Sequence, residues 1–391
     1  MTHTAPAPKT LLYEVSIIRP LVIFLLVIYH SLCIYTGGWE RPAGVDPNPV
    51  YWWLGRLISG FRIETIAFVG GYVFAYQCIA RGRRAPFFQF AWKKFKRLLI
   101  PCWIFGTAFL FLFRYHPGMR WNICLWKVLN GIEHLWFLPM LFWCFLTTWL
   151  LDRVLRLPPV REDARPWQSA ALWIALAATA IGPLVTMPSL RLGLTRAPHF
   201  IFYFFLGYVV WYLFCAERCS PASEQQLLAR QQRRLHTSIL CLFSYLFFLL
   251  LHTRICHPHM MGLAPITVSS GFRPLLPFST KLIACAKTTS GIMALYLFVK
   301  QHIDSCDLSS HGEYHPKPWV IWCSKVCYGT YVFHMFFMKW VVYHTTIPSW
   351  FSQCLPGAWA FPWLFALASF VFAIGLSVLF LKTKTGRWLI G

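Results

Sequence analysis

Charged residues are scarce in this 391-residue sequence, and acidic residues are the scarcest of them. Only 13% of the residues are charged, and 13 Asp and Glu stand against 36 Lys and Arg. A soluble globular domain carries charge at about a quarter of its positions. The composition therefore excludes an ordinary water-soluble enzyme. The chain also lacks a low-complexity linker or an internal repeat, so we expect one domain over residues 1–391.

Several motifs of soluble enzymes are missing as well. The 14 cysteines contain no Cys-x-x-Cys pair, and the chain has no Gly-rich phosphate fingerprint and no Gly-x-Ser-x-Gly elbow. Histidine, cysteine and acidic residues gather between Gln301 and His315, but their spacing matches no standard zinc site. We therefore predict neither a bound metal nor a resident cofactor.

Long apolar runs are abundant, since 57% of the residues are hydrophobic. A membrane-spanning helix needs about 20 mostly apolar residues. Windows of this kind lie near residues 17–36, 57–79, 98–113, 134–151, 167–186, 198–215, 236–252, 281–299, 320–343 and 359–381. The sequence thus predicts an all-α, polytopic bundle of about ten membrane helices. The third window is short, and we expect Pro101 in the first turn of its helix, where proline is tolerated.

The net charge of +23 would suggest nucleic acid in a soluble protein, but here the cations lie between the apolar windows. Loops on the cytoplasmic side collect Lys and Arg. The tails and even-numbered loops hold about 22 of them, and the opposite loops hold about 9. We therefore expect a multi-pass protein of the cytoplasmic membrane with both termini in the cytoplasm, bound to lipid and not to nucleic acid.

Charge within a membrane span is costly, so each such residue is a candidate site. Arg19 and His30 lie on the first helix, and the step of eleven residues from one to the other returns to within about 20° of the same face over roughly 16 Å. Both side chains therefore face one groove, Arg19 at the cytoplasmic boundary and His30 in the outer half. The alternative is an interfacial arginine and a structural histidine.

An aromatic and basic segment, Phe87 to Pro101, leads into the third span. Lys94 and Arg97 are one helical turn apart within it. Cations at a helix start can hold phosphate groups. The alternative is a cytoplasmic anchor of the kind that positively charged loops form.

Two further histidines are predicted to lie in the outer half of the membrane, from the direction of each helix and the position of the histidine along it. His134 begins the fourth span, and His334 lies well above the cytoplasmic face in the ninth. Together with His30 they predict a polar chamber within the membrane.

The sequence resembles the acyltransferase 3 family over nearly its whole length. The matching features are Arg19 and His30, Phe61 to Ala75 (FRIETIAFVGGYVFA), Lys94 and Arg97 before Pro101, His134 to Leu141 (HLWFLPML), Phe204 to Tyr208 (FFLGY) and Tyr328 to His334 (YGTYVFH). Three positions depart from the family pattern. Lys94 stands where an arginine is usual, Gly70 where the pattern reads serine, and Ser16 where an acidic residue often precedes the arginine, a role that could move to Glu14.

The resemblance implies acyl transfer from acyl-CoA or another donor to a hydroxyl of a carbohydrate or similar acceptor. It also implies that His30 is the catalytic residue and that Arg19 and the Lys94–Arg97 pair are required. At the depth of His30, a neutral imidazole can accept the proton of an attacking hydroxyl. We expect Arg19, Lys94 and Arg97 to bind the donor nucleotide, and Tyr331 or His334 to orient the acceptor or stabilise the oxyanion. Further candidates for an acceptor-facing or orienting role are Glu64, His134 and Trp136.

The leading hypothesis is therefore a membrane O-acyltransferase that acts on a glycan or a lipid-linked saccharide. The competing hypothesis is a transporter or exporter, in which the same charges line a permeation path. The chain shows no matched pair of broken helices in two halves, which many secondary transporters would show.

Overall fold

The computed structural model describes residues 12–39, 41–42, 44–155, 169–219, 224–266, 273, 275–310 and 317–391. Within these ranges the chain forms helices and no strand. The α-helices are α1 (Tyr13–Thr36), α2 (Pro49–Ser59), α3 (Arg62–Ala75), α4 (Phe87–Phe113), α5 (Trp121–Asn130), α6 (Phe137–Leu155), α7 (Ala170–Ala180), α8 (Ala197–Cys219), α9 (Glu224–Cys256), α10 (Leu275–Ser310), α11 (Pro318–His344), α12 (Ile347–Ser352), α13 (Leu355–Lys382) and α14 (Lys384–Ile390). A π-helical turn, Tyr76–Ala80, extends α3, and a 3-10 turn, Glu133–Trp136, precedes α6. The prediction of a polytopic helical bundle is confirmed.

Each of the ten apolar windows overlaps these helices, and the window at 57–79 runs from the end of α2 through α3. Among the described residues, 8 helices are long and apolar enough to cross a membrane. The other two windows correspond to the shorter segment Ala170–Leu184 and to α11, which is 27 residues long. Helix α11 is less apolar because it carries the buried polar residues His334 and Lys339. The number of spans therefore depends on these two segments.

The prediction of a short third helix with Pro101 in its first turn is wrong. Helix α4 begins at Phe87, runs for 27 residues and holds Pro101 in its interior. The aromatic and basic segment is therefore helical and continuous with the apolar window. Because proline has no N–H, the carbonyl of Arg97 lacks its usual partner four residues ahead.

Helix α1 lies at the centre of the bundle and contacts α2, α3, α10, α11 and α13. Around it, α3 packs along α8, α9 along α10, and α11 along α13. The α3–α8 contact depends on two glycines from the motif segments, Gly71 and Gly207. A Cβ atom at Gly71 would overlap the carbonyl oxygen of Phe204, and one at Gly207 would overlap that of Phe68. These glycines let the two backbones approach closely, as small residues do in membrane helix pairs.

Reporter fusions can show whether α11 crosses the membrane. Between the outer loop at 256–278 and Gly391 lie three spans if α11 crosses, and two if it does not. We expect fusions in that loop and at Gly391 to report opposite sides, with Gly391 in the cytoplasm. Reporters on the same side would contradict the ten-span topology. A third fusion at Met1 would test α7 in the same way.

Candidate active site

The three histidines of the predicted chamber meet at the centre of the bundle. The Nδ1 atom of His30 on α1 lies 2.9 Å from the Nε2 atom of His334 on α11. The ring of His134, from the turn before α6, lies 5.1 Å from the ring of His334, centroid to centroid. His334 is fully buried and His134 nearly so, whereas His30 is half-buried.

The hydrogen bonds of His334 indicate which nitrogen of His30 is basic. The Nδ1 atom of His334 lies 3.1 Å from the carbonyl oxygen of Thr330. A carbonyl only accepts, so Nδ1 carries the proton and the neutral ring has its lone pair on Nε2. The Nδ1–H of His30 must then donate to that lone pair. The lone pair of His30 is consequently on Nε2, which has no hydrogen-bond partner within the described part of the chain.

His134 is held in place by α11, the helix that also carries His334. Its Nε2–H donates to the carbonyl oxygen of Val332 at 3.0 Å, and its buried Nδ1 finds no hydrogen-bond partner among the described residues. The hydroxyl of Tyr331 donates to the carbonyl oxygen of His134 at 2.5 Å. Tyr331 therefore fixes the backbone at His134, and stabilising an oxyanion would require its hydroxyl to leave that carbonyl.

A cavity of about 340 Å³ brings together the three predicted phosphate ligands. Arg19 contributes from α1, and Lys94 and Arg97 contribute from α4. Ile23, Phe137 and Leu141 form part of its apolar wall, and Tyr331 also lines it. His30 is not among the lining residues, whereas Tyr331 both lines the cavity and lies close to the other two histidines. The centroid of the Tyr331 ring is 6.4 Å from that of His334.

The three cations of the cavity have no Asp or Glu partner within the described ranges. Lys94 Nζ lies 3.4 Å from the centre of the Phe145 ring, an arrangement that favours a cation over an aromatic face. Arg97 donates to the backbone oxygen of Gly391 at 2.8 Å. Arg19 has no hydrogen bond or ion pair with any other residue that the structure describes. An anionic ligand would therefore meet cations that no Asp or Glu side chain of the described residues neutralises.

The remaining predicted residues have partners other than His30. Glu64 Oε1 is 3.3 Å from His199 Nε2, and Glu64 makes no hydrogen bond to His30. The ring of Trp136 lies 4.0 Å from the guanidinium of Arg196 and does not contact the histidines. Glu14 lies 3.7 Å from Lys300 Nζ, with both side chains buried, and not at Arg19. In the stretch from Gln301 to His315, the side chains after Ile303 lie outside the described residues.

Sequence reasoning missed a second polar group next to the histidines. Lys339, almost fully buried on α11, has its Nζ 3.9 Å from Glu133 Oε2 and 4.3 Å from the centre of the Trp39 ring. The Trp39 ring stacks on His30 with centroids 5.8 Å apart. The rule that flags charge within a span also applies to Lys339, so the sequence did contain a signal.

A family profile described as an acyltransferase domain matches residues 12–382 of the chain. Searches of curated proteins and of solved structures found no match. The matched range contains the histidines, the cavity cations and the helices that position them. Because the profile covers nearly the whole chain, this membrane protein belongs to the acyltransferase 3 family.

Proposed function

We propose that the protein is an O-acyltransferase that moves an acyl group, acetyl or succinyl, from acyl-CoA to a hydroxyl of a glycan or lipid-linked saccharide. The donor nucleotide binds at the cytoplasmic face, and the reaction takes place at His30 in the outer half of the membrane. In a cell with two membranes, the protein belongs to the inner one. The observation that carries this proposal is the cavity in which Arg19, Lys94 and Arg97 meet.

The cavity suits a ligand that is anionic at one end and uncharged along its length. Its basic residues can bind the phosphates by charge-assisted hydrogen bonds. Its apolar wall, including Phe137 and Leu141, can contact the pantetheine arm. The rise from Arg19 to His30 along α1 is roughly 16 Å, comparable with the reach of that arm. The thioester must pass Tyr331 to meet His30, which requires a local movement of that side chain.

The chemistry follows from the free lone pair on His30 Nε2. This atom accepts the proton of the acceptor hydroxyl, while the hydroxyl oxygen forms a bond to the thioester carbonyl carbon. The carbon–sulfur bond then breaks, and CoA leaves as a thiol by taking the proton back from His30. The products are the acyl ester and free CoA. His334, which accepts from the Nδ1–H of His30, holds the ring in the tautomer that this step needs.

Donor binding should depend on Arg97 and Lys94 and not on cations of α4 that lie outside the cavity. Removing one charge-assisted contact to phosphate costs about 1.5 to 3 kcal/mol. We therefore expect Arg97→Ala to weaken acyl-CoA binding by about that amount, measured by calorimetry on purified protein. We expect Lys94→Arg to retain or improve binding, because a guanidinium can bind phosphate with two parallel bonds.

Lys93 provides the matched control, since it is exposed on the same helix and does not line the cavity. Lys93→Ala should leave the affinity unchanged. Unchanged affinity in well-folded Arg97→Ala protein would contradict the cytoplasmic phosphate site. Loss of affinity in both variants would indicate a diffuse effect of surface charge.

The proposal as a whole is tested by release of free CoA from acyl-CoA in proteoliposomes, with and without extracted envelope glycans. A transferase should release CoA faster when an acceptor is present, and mass spectrometry should find an ester on the glycan. A transporter would move solute without releasing CoA. Comparing envelope glycans from cells with and without the gene would identify the acyl group and the acceptor.

A further inference from the structure

A second cavity, of about 640 Å³, opens at the other end of α4. We call it the outer groove, and its lining residues are Arg114, Ile123, Trp126, Lys127, Asn130, Gly131, Ile132, Glu133 and Arg191. The rise along α4 from Arg97 to Arg114 is roughly 26 Å. The groove is therefore separate from the donor cavity and lies towards the outer side in the predicted topology.

The outer groove has more positive than negative charge. Its one carboxylate, Glu133, accepts from Arg114 Nε at 3.0 Å and lies near Lys339 on its other side. Lys127 and Arg191 are exposed and have no acidic partner in the part of the chain that the structure describes. Their charges are therefore available to an anion in the groove.

An aromatic wall accompanies these cations. The guanidinium of Arg191 lies 3.6 Å from the centre of the Trp126 ring, which holds its planar face against the indole. Trp126 is half-buried at the groove, where a large flat side chain offers contact area at little cost in side-chain entropy. A flat apolar surface beside a guanidinium group suits a ring-shaped ligand that carries an anionic group.

The groove lies at the level of the membrane surface. Helix α5, which forms one wall, exposes Trp121 by 78% and Leu125 by 55% one turn further on. Exposed tryptophan and leucine on a short helix are typical of the interface between lipid and water. A saccharide close to the membrane surface can reach this position.

Glu133, at the floor of the outer groove, is connected to the central histidines through a series of side-chain contacts. Glu133 precedes His134 and has a positive φ of 48°, a conformation that costs a non-glycine residue free energy and is held by its surroundings. It is fixed by Arg114 and Lys339, and Lys339 contacts Trp39, which stacks on His30. A ligand in the groove would therefore lie against Glu133, which is connected to His30 through Lys339 and Trp39.

We propose that the outer groove binds the anionic group, carboxylate or phosphate, of a saccharide that is the acyl acceptor. This inference rests on the proposed function and adds the charge of the acceptor to it. Arg191 and Lys127 bind the anion, and Trp126 contacts the sugar ring. The acceptor's reacting hydroxyl is on a neighbouring part of the saccharide, towards Trp39 and His30.

Binding can be measured on the full chain in nanodiscs of zwitterionic lipid. The probes are tetragalacturonate, glucose 1-phosphate and neutral maltotetraose. We expect one or both anionic probes to bind more tightly than maltotetraose, and Arg191→Gln to weaken that binding about tenfold, the effect of losing one charge-assisted hydrogen bond. Which anionic probe binds identifies carboxylate or phosphate. Binding should weaken as salt is raised.

Arg120→Gln is the matched control, because Arg120 is exposed at the start of α5 and does not line the groove. It should bind the probes as the unaltered protein does. Equal affinity for neutral and anionic probes, or equal loss in both variants, would overturn the proposal. Displacement of the probes by phosphatidylglycerol would assign the groove to a lipid headgroup and would also overturn it.

The same preparations separate this inference from the proposed function. If the unaltered protein releases CoA in a His30-dependent manner but binds no anionic probe, the groove assignment is wrong and the transferase stands. If the probes bind through Arg191 but no acyl-CoA is bound or cleaved, the proposed function is wrong and the groove remains an anion site.

Discussion

Replacing His30 with alanine is expected to lower acyl transfer by about 10² to 10⁴-fold, the contribution of a general base to an enzymatic rate. The lone pair on Nε2 is lost, and α1 carries no second histidine that could replace it. The variant should fold, because His30 is half-buried and its one hydrogen bond among the described residues is to His334. Donor affinity should stay nearly the same, since His30 does not line the donor cavity.

A second histidine provides the control for this variant. His252 on α9 bonds to Arg56 and contacts none of the three central histidines. His252→Ala removes a partly buried imidazole without touching the proposed chemistry and should retain transfer. If His30→Ala keeps the rate of the unaltered protein, His30 has a structural role and the base lies elsewhere.

The central histidines were predictable because the depth of a residue follows from sequence alone. Helix rise per residue is constant, and charge in the loops gives the direction of each helix. His30, His134 and His334 were therefore expected at one depth, although they come from three helices. Arg19 and Lys94 were expected at the opposite face for the same reason.

The contacts that a side chain makes with neighbouring helices were not predictable, because they depend on how the helices pack. Glu64 is a sequence-based candidate for an orienting or acceptor-facing role. It lies beside His199 instead, while Arg62 stacks on Tyr29 at 3.5 Å. Glu14 likewise contacts Lys300 from α10. A single sequence shows on which face of its own helix a residue lies. It does not show which other helix packs against that face.

The position of Pro101 shows a different limit. Sequence rules place proline in the first turn of a helix because no donor is lost there. Here the preceding segment is polar enough to look like a loop, yet Phe87 to Arg97 forms a helix that presents Lys94 and Arg97 to one cavity. The interior proline frees a backbone carbonyl at Arg97, next to the proposed phosphate ligands.

His334→Leu is the variant with the second largest expected effect. His334 is a positioning residue: it accepts the Nδ1–H of His30 and so keeps the lone pair of His30 on Nε2. Partners that fix the tautomer and orientation of a functional histidine are typically worth 10 to 100-fold, and more where the wrong tautomer results. We expect kcat to fall about 10²-fold, with little change in donor affinity.

His334→Gln gives the conservative comparison, because its amide oxygen can still accept from His30. It should recover part of the loss, which a purely structural role for the imidazole would not predict.

The double variant decides whether His334 acts through His30. Residues that work as a unit lose activity non-additively, because removing the second costs little once the first is gone. We therefore expect His30→Ala with His334→Leu to be about as slow as His30→Ala alone. Additive losses, in protein whose thermal unfolding is unchanged, would mean that His334 contributes independently of His30. The hydrogen bond between the two rings would then be a packing contact, and the assignment of the basic nitrogen in His30 would lose its support.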